Sequence, residues 1–143
     1  MPTAAIRSAL SADLRNSVMR LSRRLRVERA DHGLMLNQIS VLAILDRHGP
    51  LTPSELAAHE GIRPPSMTKT VQCLFEGGYV ERTPDPLDGR QVVVSLTPTA
   101  RQLIKADRAR RDAWLAQRLA ELTADERAIL RDAAPILDRL AGR

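Results

Sequence analysis

Aromatic residues are almost absent from this chain of 143 residues: Phe75, Tyr79 and Trp114 make up 2% of it. Proteins that hold single-stranded nucleic acid stack successive bases on rows of aromatic rings, so RNA-recognition sheets and single-strand-binding barrels are excluded. Cysteine is nearly missing too. Cys73 alone cannot close an internal disulfide, and one cysteine with His32, His48 and His59 gives no zinc-ligand spacing. No apolar run approaches the roughly 18 residues of a membrane span. The start of the chain, Met1-Pro2-Thr3-Ala4-Ala5-Ile6-Arg7, lacks the apolar core of a secretory signal, so the expected location is the cytoplasm, with no membrane partner. There is no Gly-rich phosphate loop and no nucleophile elbow, so neither an enzyme nor a cofactor is expected.

What is present is a basic excess. Lys and Arg number 22 against 17 Asp and Glu, a net charge of +5, which suits a polyanionic partner and equally suits arginines that only solvate helix faces. With stacking platforms excluded, duplex DNA is the polyanion of choice. The length is about one domain's worth, enough to bury a core unaided.

Apolar spacing gives the elements. Ile6, Leu10, Leu14, Val18, Leu21 and Leu25 recur every three or four residues, a helical stripe over 4–30 with arginines on its other faces. Leu36, Ile39, Leu42 and Leu45 mark a second helix, stopped by His48-Gly49-Pro50. Thr52-Pro53-Ser54-Glu55 has the form of a capping box opening a short helix, with Leu56, Ala57 and Ile62 as its inner face and Gly61 as its end. Pro64-Pro65 open the next helix, which runs to Glu76 and stops at Gly77-Gly78. Two strands, Tyr79–Arg82 and Val92–Leu96, flank a loop rich in Pro, Asp and Gly. Thr97-Pro98 begin a long helix with Leu103, Ile104, Leu115 and Leu119 as apolar positions. Thr123-Ala124-Asp125-Glu126 is a second capping box, and Ile129, Leu130, Ala133, Ile136, Leu137 and Leu140 form a last stripe. Pro135 inside that stripe is expected to kink or divide the helix.

The order helix, turn, helix, hairpin over 52–96 predicts a helix-turn-helix with a basic-tipped wing. A duplex offers a major groove to the second helix and an adjacent narrow groove to the loop. At 100° per residue Met67, Val71 and Leu74 fall on the inner side of helix 64–76, with Pro65, Lys69, Gln72 and Glu76 opposite and Ser66 and Cys73 on the flank. Lys69, Ser66, Thr68, Thr70 and Gln72 are therefore the expected major-groove residues. Lysine donates to guanine O6/N7 or phosphate, glutamine bonds adenine bidentately, and hydroxyls take either bases or phosphate. Arg63 occupies the cap position, where its side chain is a poor cap and reaches phosphate better, helped by unpaired backbone N–H groups at the helix entrance. Arg90 follows the wing's glycine and suits the minor-groove edge. Asp85 and Asp88 pair with arginines or hold turn backbone, so an ion pair to Arg90 and a groove contact by it are compatible.

That element order, with Gly78-Tyr79-Val80-Glu81-Arg82, Asp88-Gly89-Arg90 and Val94-Ser95-Leu96-Thr97, resembles the MarR family (multiple antibiotic resistance regulators) over nearly the whole chain. The resemblance implies a mainly α fold with a small β-hairpin wing: a winged helix-turn-helix over 36–97, flanked by N- and C-terminal dimerisation helices at 4–30 and 98–141, all within a single domain spanning 1–143. It implies a homodimer on a pseudo-palindromic operator. Many members release DNA when a small anionic or phenolic ligand enters the crevice between dimer helices and winged helix, and others respond to cysteine oxidation. With the residue reading above, the expected DNA-binding residues are Arg63, Pro65, Ser66, Thr68, Lys69, Thr70, Gln72, Asp88 and Arg90.

Two positions depart from the family pattern. Its wing commonly reads Asp-x-Arg-Asp-x-Arg, and Leu87 stands at the first arginine here. Its redox cysteine lies near the N-terminal helices, whereas Cys73 lies on the second helix of the motif and reads as a packing or flank residue.

Dimerisation is expected without the family as well. The end segments carry more apolar helical face than a central domain can cover, with Ile6, Leu10, Leu14, Leu119, Ile129, Ile136, Leu137 and Leu140 as the contact residues. Two-fold pairing sets recognition helices about one DNA turn, roughly 34 Å, apart. The sequence thus predicts a homodimeric, ligand-responsive regulator of transcription, expected to repress. The alternative is a winged helix that binds only protein, which dispensable basic residues would favour.

Overall fold

The computed structural model describes residues 4–142. Met1, Pro2 and Thr3, part of the stretch read above for a secretory signal, lie outside the described residues, as does Arg143. The elements are α1 (Ala4–Val27), α2 (Leu36–His48), α3 (Pro53–Glu60), α4 (Pro64–Glu76), β1 (Val80–Pro84), β2 (Val92–Leu96), α5 (Pro98–Ala120) and α6 (Ala124–Leu140). The described residues form two compact units: residues 30–108, and the residues up to 29 together with those from 109 onward, the division falling within α5. Among the described residues no helix is long and apolar enough to cross a membrane.

The central unit is built on a core of Val41, Leu42 and Leu45 from α2, Leu56 and Ala57 from α3, Met67, Val71 and Leu74 from α4, Val80, Val94 and Leu96 from the hairpin, and Ala100 from α5. The strands are antiparallel, with Val80 opposite Leu96, Arg82 opposite Val94 and Pro84 opposite Val92. Leu51 adds a further rung to the hairpin, exchanging backbone hydrogen bonds with Val94 at 3.1 and 2.8 Å. The connection into α3 is thereby tied to the base of the wing.

Local chemistry sets the ends of the elements. Thr52 Oγ1 accepts from the Glu55 N–H at 3.2 Å while Glu55 Oε2 accepts from the Thr52 N–H at 3.0 Å, the reciprocal pair expected of a capping box. Gly61 (φ 66°) is left-handed, and the Ile62 N–H returns to the Ala57 carbonyl at 3.1 Å, closing α3. Ile62 lies beyond that closure and is exposed, so the inner face of α3 consists of Leu56 and Ala57 without it. Gly78 (φ 78°) does the same for α4: its N–H reaches the Phe75 carbonyl and the Tyr79 N–H the Leu74 carbonyl, at 3.0 and 2.9 Å. The chain leaves this motif directly into β1.

In the terminal unit, Arg110 Nη1 donates to the Arg29 carbonyl at 3.0 Å, and the guanidinium groups of Arg24 and Arg118 lie 5.2 and 5.5 Å from the Trp114 ring centroid. The second capping box forms at Thr123 and Glu126, and Arg127 Nη1 donates to the Leu119 and Leu122 carbonyls, capping the end of α5. Helix α6 runs through Pro135 instead of dividing there. Proline removes one bond, to the Arg131 carbonyl, and in a helix with no buried residue solvent can hydrate that group. The apolar stripes stay open: Ile6, Leu10, Leu14, Ile129, Ile136, Leu137 and Leu140 are exposed, while Leu119 is half-buried within its own chain.

Candidate nucleic-acid interface

Helix α4 is pinned by the burial of Met67, Thr70, Val71 and Leu74, so its opposite face is turned outward. Arg63 occupies the cap position with extended backbone (φ −71°, ψ 143°), and its side chain makes no capping bond. The helix entrance itself offers less to an anion than expected. Pro64 and Pro65 have no N–H, and the N–H groups of Ser66 and Met67 both bond the Arg63 carbonyl, at 3.1 and 3.3 Å. Any anion held there is held by the exposed Arg63 guanidinium itself.

Pro65, Ser66, Thr68 and Lys69 follow along the exposed face, and Cys73 is exposed on the flank. The Thr68 hydroxyl donates back to the Pro64 carbonyl at 3.0 Å and keeps its lone pairs for a further donor. Thr70 departs from the sequence expectation. It is only 7% exposed; its hydroxyl donates to the Ser66 carbonyl at 3.1 Å and accepts from Asn37 Nδ2 at 3.3 Å. It joins α4 to α2 and leaves the set of outward residues. Gln72 is half-buried, its carboxamide held between Arg82 Nη1 (2.9 Å to Oε1) and Glu76 Oε1 (2.7 Å from Nε2).

The wing loop is organised by its aspartates. Asp85 Oδ1 accepts from the Leu87 N–H at 2.8 Å, the Asp85 N–H donates to the Gln91 carbonyl at 2.9 Å, and the Gln91 N–H to the Asp88 carbonyl at 2.9 Å. Asp88 Oδ1 accepts from both the backbone N–H and Nε of Arg90, each at 3.1 Å. A carboxylate facing phosphate would repel it; turned onto Arg90, Asp88 orients the guanidinium instead. The Arg90 side chain is 92% exposed despite this bond, and Leu87 at the tip is 97% exposed. Helix α4, its entrance and the wing loop therefore present the outward cations Arg63, Lys69 and Arg90, together with the hydroxyls of Ser66 and Thr68.

A sequence model described as the MarR family matches residues 34–92. An HTH-type transcriptional regulator of Mycobacterium bovis is 47% identical over 128 residues, covering 90% of each chain. The chain belongs to the MarR family. A transcriptional regulator from Pseudomonas aeruginosa of known structure, 37% identical, superposes with a TM-score of 0.85 over 99% of both chains. The HTH-type transcriptional repressor MdtR of Bacillus subtilis is 29% identical over 136 residues, covering 92% of this chain and 86% of that protein. This MarR-family chain is accordingly a DNA-binding transcriptional regulator of the helix-turn-helix type, not an enzyme.

Two features of this MarR-family unit were not foreseen. One is Arg82, whose guanidinium lies 3.9 Å from the Phe75 ring centroid and bonds Gln72. The other is Asp107, 2% exposed on α5. Its Oδ1 accepts from the Ala30 N–H at 2.8 Å and its Oδ2 lies 3.1 Å from His32 Nε2, while His32 Nδ1 accepts from the Leu34 N–H at 3.2 Å. The segment leading into α2 is thereby fixed onto α5. Neither pair leaves a local signal, because the partners lie 10 and 75 residues apart.

Proposed function

We propose that the protein is a homodimeric repressor that grips a pseudo-palindromic duplex operator and releases it when a small anionic or phenolic ligand binds. The observation that carries this reading is the outward set of α4 and the wing. Arg63 meets phosphate, Pro65, Ser66, Thr68, Lys69 and Gln72 face the major groove, and Arg90, oriented by Asp88, lies at the minor-groove edge. The open apolar stripes of α1 and α6 favour a second copy of this chain as their cover, through Ile6, Leu10, Leu14, Ile129, Ile136, Leu137 and Leu140, together with the half-buried Leu119. Repression is supported by the relative MdtR, which is named a repressor. An acceptor-bearing ligand is supported by Trp114 Nε1 and Arg111 Nε, buried without acceptors among the described residues. An anion or phenolate is the chemistry that would satisfy them.

The test is fluorescence anisotropy on duplex DNA taken from immediately upstream of the protein's own gene, titrated in salt beside a scrambled duplex. Tight binding with a clear margin over the scramble and a steep salt dependence supports the reading. Release by salicylate or benzoate in the same cell supports the ligand response. Failure to bind any duplex at low salt refutes it and favours a protein partner.

A further inference from the structure

Gln72 does not stand free on α4. Val80 and Arg82, two residues apart on β1, share the face of the hairpin that carries the core. Val80 is buried, and Arg82, one step further out, reaches α4 beyond the edge of the core. Its guanidinium lies 3.9 Å from the Phe75 ring centroid, and its Nη1 donates to Gln72 Oε1 at 2.9 Å. On the other side, Gln72 Nε2 donates to Glu76 Oε1 at 2.7 Å. A guanidinium can only donate and a carboxylate can only accept, so the direction of the carboxamide is fixed by chemistry. Turned over, it would set NH2 against guanidinium and carbonyl against carboxylate.

We propose that Arg82, seated on Phe75, is a positioning residue that sets the direction in which Gln72 presents its carboxamide to a base pair. This rests on the reading of α4 as the helix that contacts bases. After the bonds to Arg82 and Glu76, Gln72 keeps one unused lone pair on Oε1 and one unused hydrogen on Nε2. That acceptor and donor are the complement of adenine N6 and N7. A glutamine free to rotate offers them in either order, or both amide hydrogens to a guanine edge. The clamp permits one order. Arg82 thus acts on specificity through Gln72, and the Arg82 charge need not touch DNA.

The experiment is selection from a randomised duplex pool, read by sequencing, for the full-length wild type, Gln72→Ala, Arg82→Ala, Arg82→Lys, Phe75→Leu and the Gln72→Ala/Arg82→Ala double variant. Salt titrations on the selected duplex accompany it. Gln72→Ala is expected to reduce base preference at one position per half-site by about tenfold. Arg82→Ala is expected to reduce preference at that same position by about three- to tenfold, with the salt slope unchanged and no further loss in the double variant. Arg82→Lys, which keeps a donor without the planar fork, is expected to fall between wild type and Arg82→Ala, and Phe75→Leu likewise.

Arg82→Ala that weakens every duplex alike and makes the salt slope shallower by about one identifies a phosphate contact and overturns the proposal. So does a profile changed by Gln72→Ala but untouched by Arg82→Ala, Arg82→Lys and Phe75→Leu. If Gln72→Ala leaves the profile of a sequence-selective wild type intact, base reading by Gln72 fails and the clamp with it, while the DNA-binding reading stands. A wild type that selects no sequence refutes the broader reading and the clamp together.

Discussion

Replacing Asp107 should destabilise this protein more than replacing any surface carboxylate. Its two oxygens serve the Ala30 N–H and His32 Nε2 in a site that leaves the residue 2% exposed. The imidazole has no freedom to adapt. Nδ1 already accepts from the Leu34 N–H, so Nε2 carries the hydrogen that points at Asp107. In Asp107→Ala, two donors lose their acceptor at about 1–3 kcal/mol each, for a total of about 2–6 kcal/mol. Against a typical stability of about 5–15 kcal/mol, that is a large part of the whole.

Asp107→Asn is the sharper variant. If its oxygen keeps the Ala30 N–H, its amide faces the Nε2–H of His32. If His32 changes tautomer, its Nδ1–H faces the Leu34 N–H. Every arrangement opposes two donors, and the expected loss is about 1.5–3 kcal/mol.

Urea unfolding followed by circular dichroism reads both losses as shifts of midpoint at constant slope, with all variants at one protein concentration because an oligomer's stability depends on it. His32→Ala and Asp107→Ala should be strongly non-additive, since each removes the same bond. A loss below about 1 kcal/mol for Asp107→Ala, or losses that simply add, would refute the argument.

Gly78→Ala forces a side chain into left-handed backbone (φ 78°) with no steric neighbour to blame. It should lower stability by about 1–2 kcal/mol in thermal unfolding, and an unchanged midpoint would contradict the Gly78 turn as the link from α4 to β1. Arg63→Ala should weaken binding to all duplexes alike and make the salt slope shallower by about 0.9; because no backbone donor waits at that helix entrance, a residual anion contact is not expected. Ile136→Glu with Leu137→Glu places charge on the exposed face of α6 and should convert a dimer to a monomer in sedimentation velocity, and a surviving dimer would place the interface elsewhere.

The parts of the fold that the sequence made legible are those decided within one helical turn. Thr52 with Glu55, Gly61, Pro64 with Pro65, and Thr123 with Glu126 each act on backbone groups three or four residues away, and each forms where the spacing places it. The outward residues Arg63, Pro65, Ser66, Thr68 and Lys69 follow from the same periodicity, once Met67, Val71 and Leu74 define the inner side. Thr70 was legible in principle. It stands three residues after Met67 and four before Leu74, in step with the buried face, and only the polarity of its hydroxyl argues for an outward place. The Ser66 carbonyl and Asn37 satisfy that hydroxyl inside, and so the polarity is no obstacle to burial.

Arg82 and Asp107 escaped for a different reason. A charged residue in a strand or a long helix ordinarily solvates, and only the folded chain tells which neighbour meets it. Phe75 and Gln72 reach Arg82 because the Gly78 turn sends β1 back along α4. Asp107 meets His32 because α5 returns to the segment before α2. The consequence for recognition follows from that difference in origin. In the proposed reading the periodic face of α4 holds the duplex, since lysine, arginine and hydroxyl contacts to phosphate and groove need only exposure. On the proposal above, the base preferred opposite Gln72 depends on the direction of one carboxamide, and that direction is set across two elements by Arg82. Relatives that share the helix but lack an arginine seated on an aromatic ring at this point should therefore read the position facing Gln72 less strictly, even where every residue of the exposed face is the same.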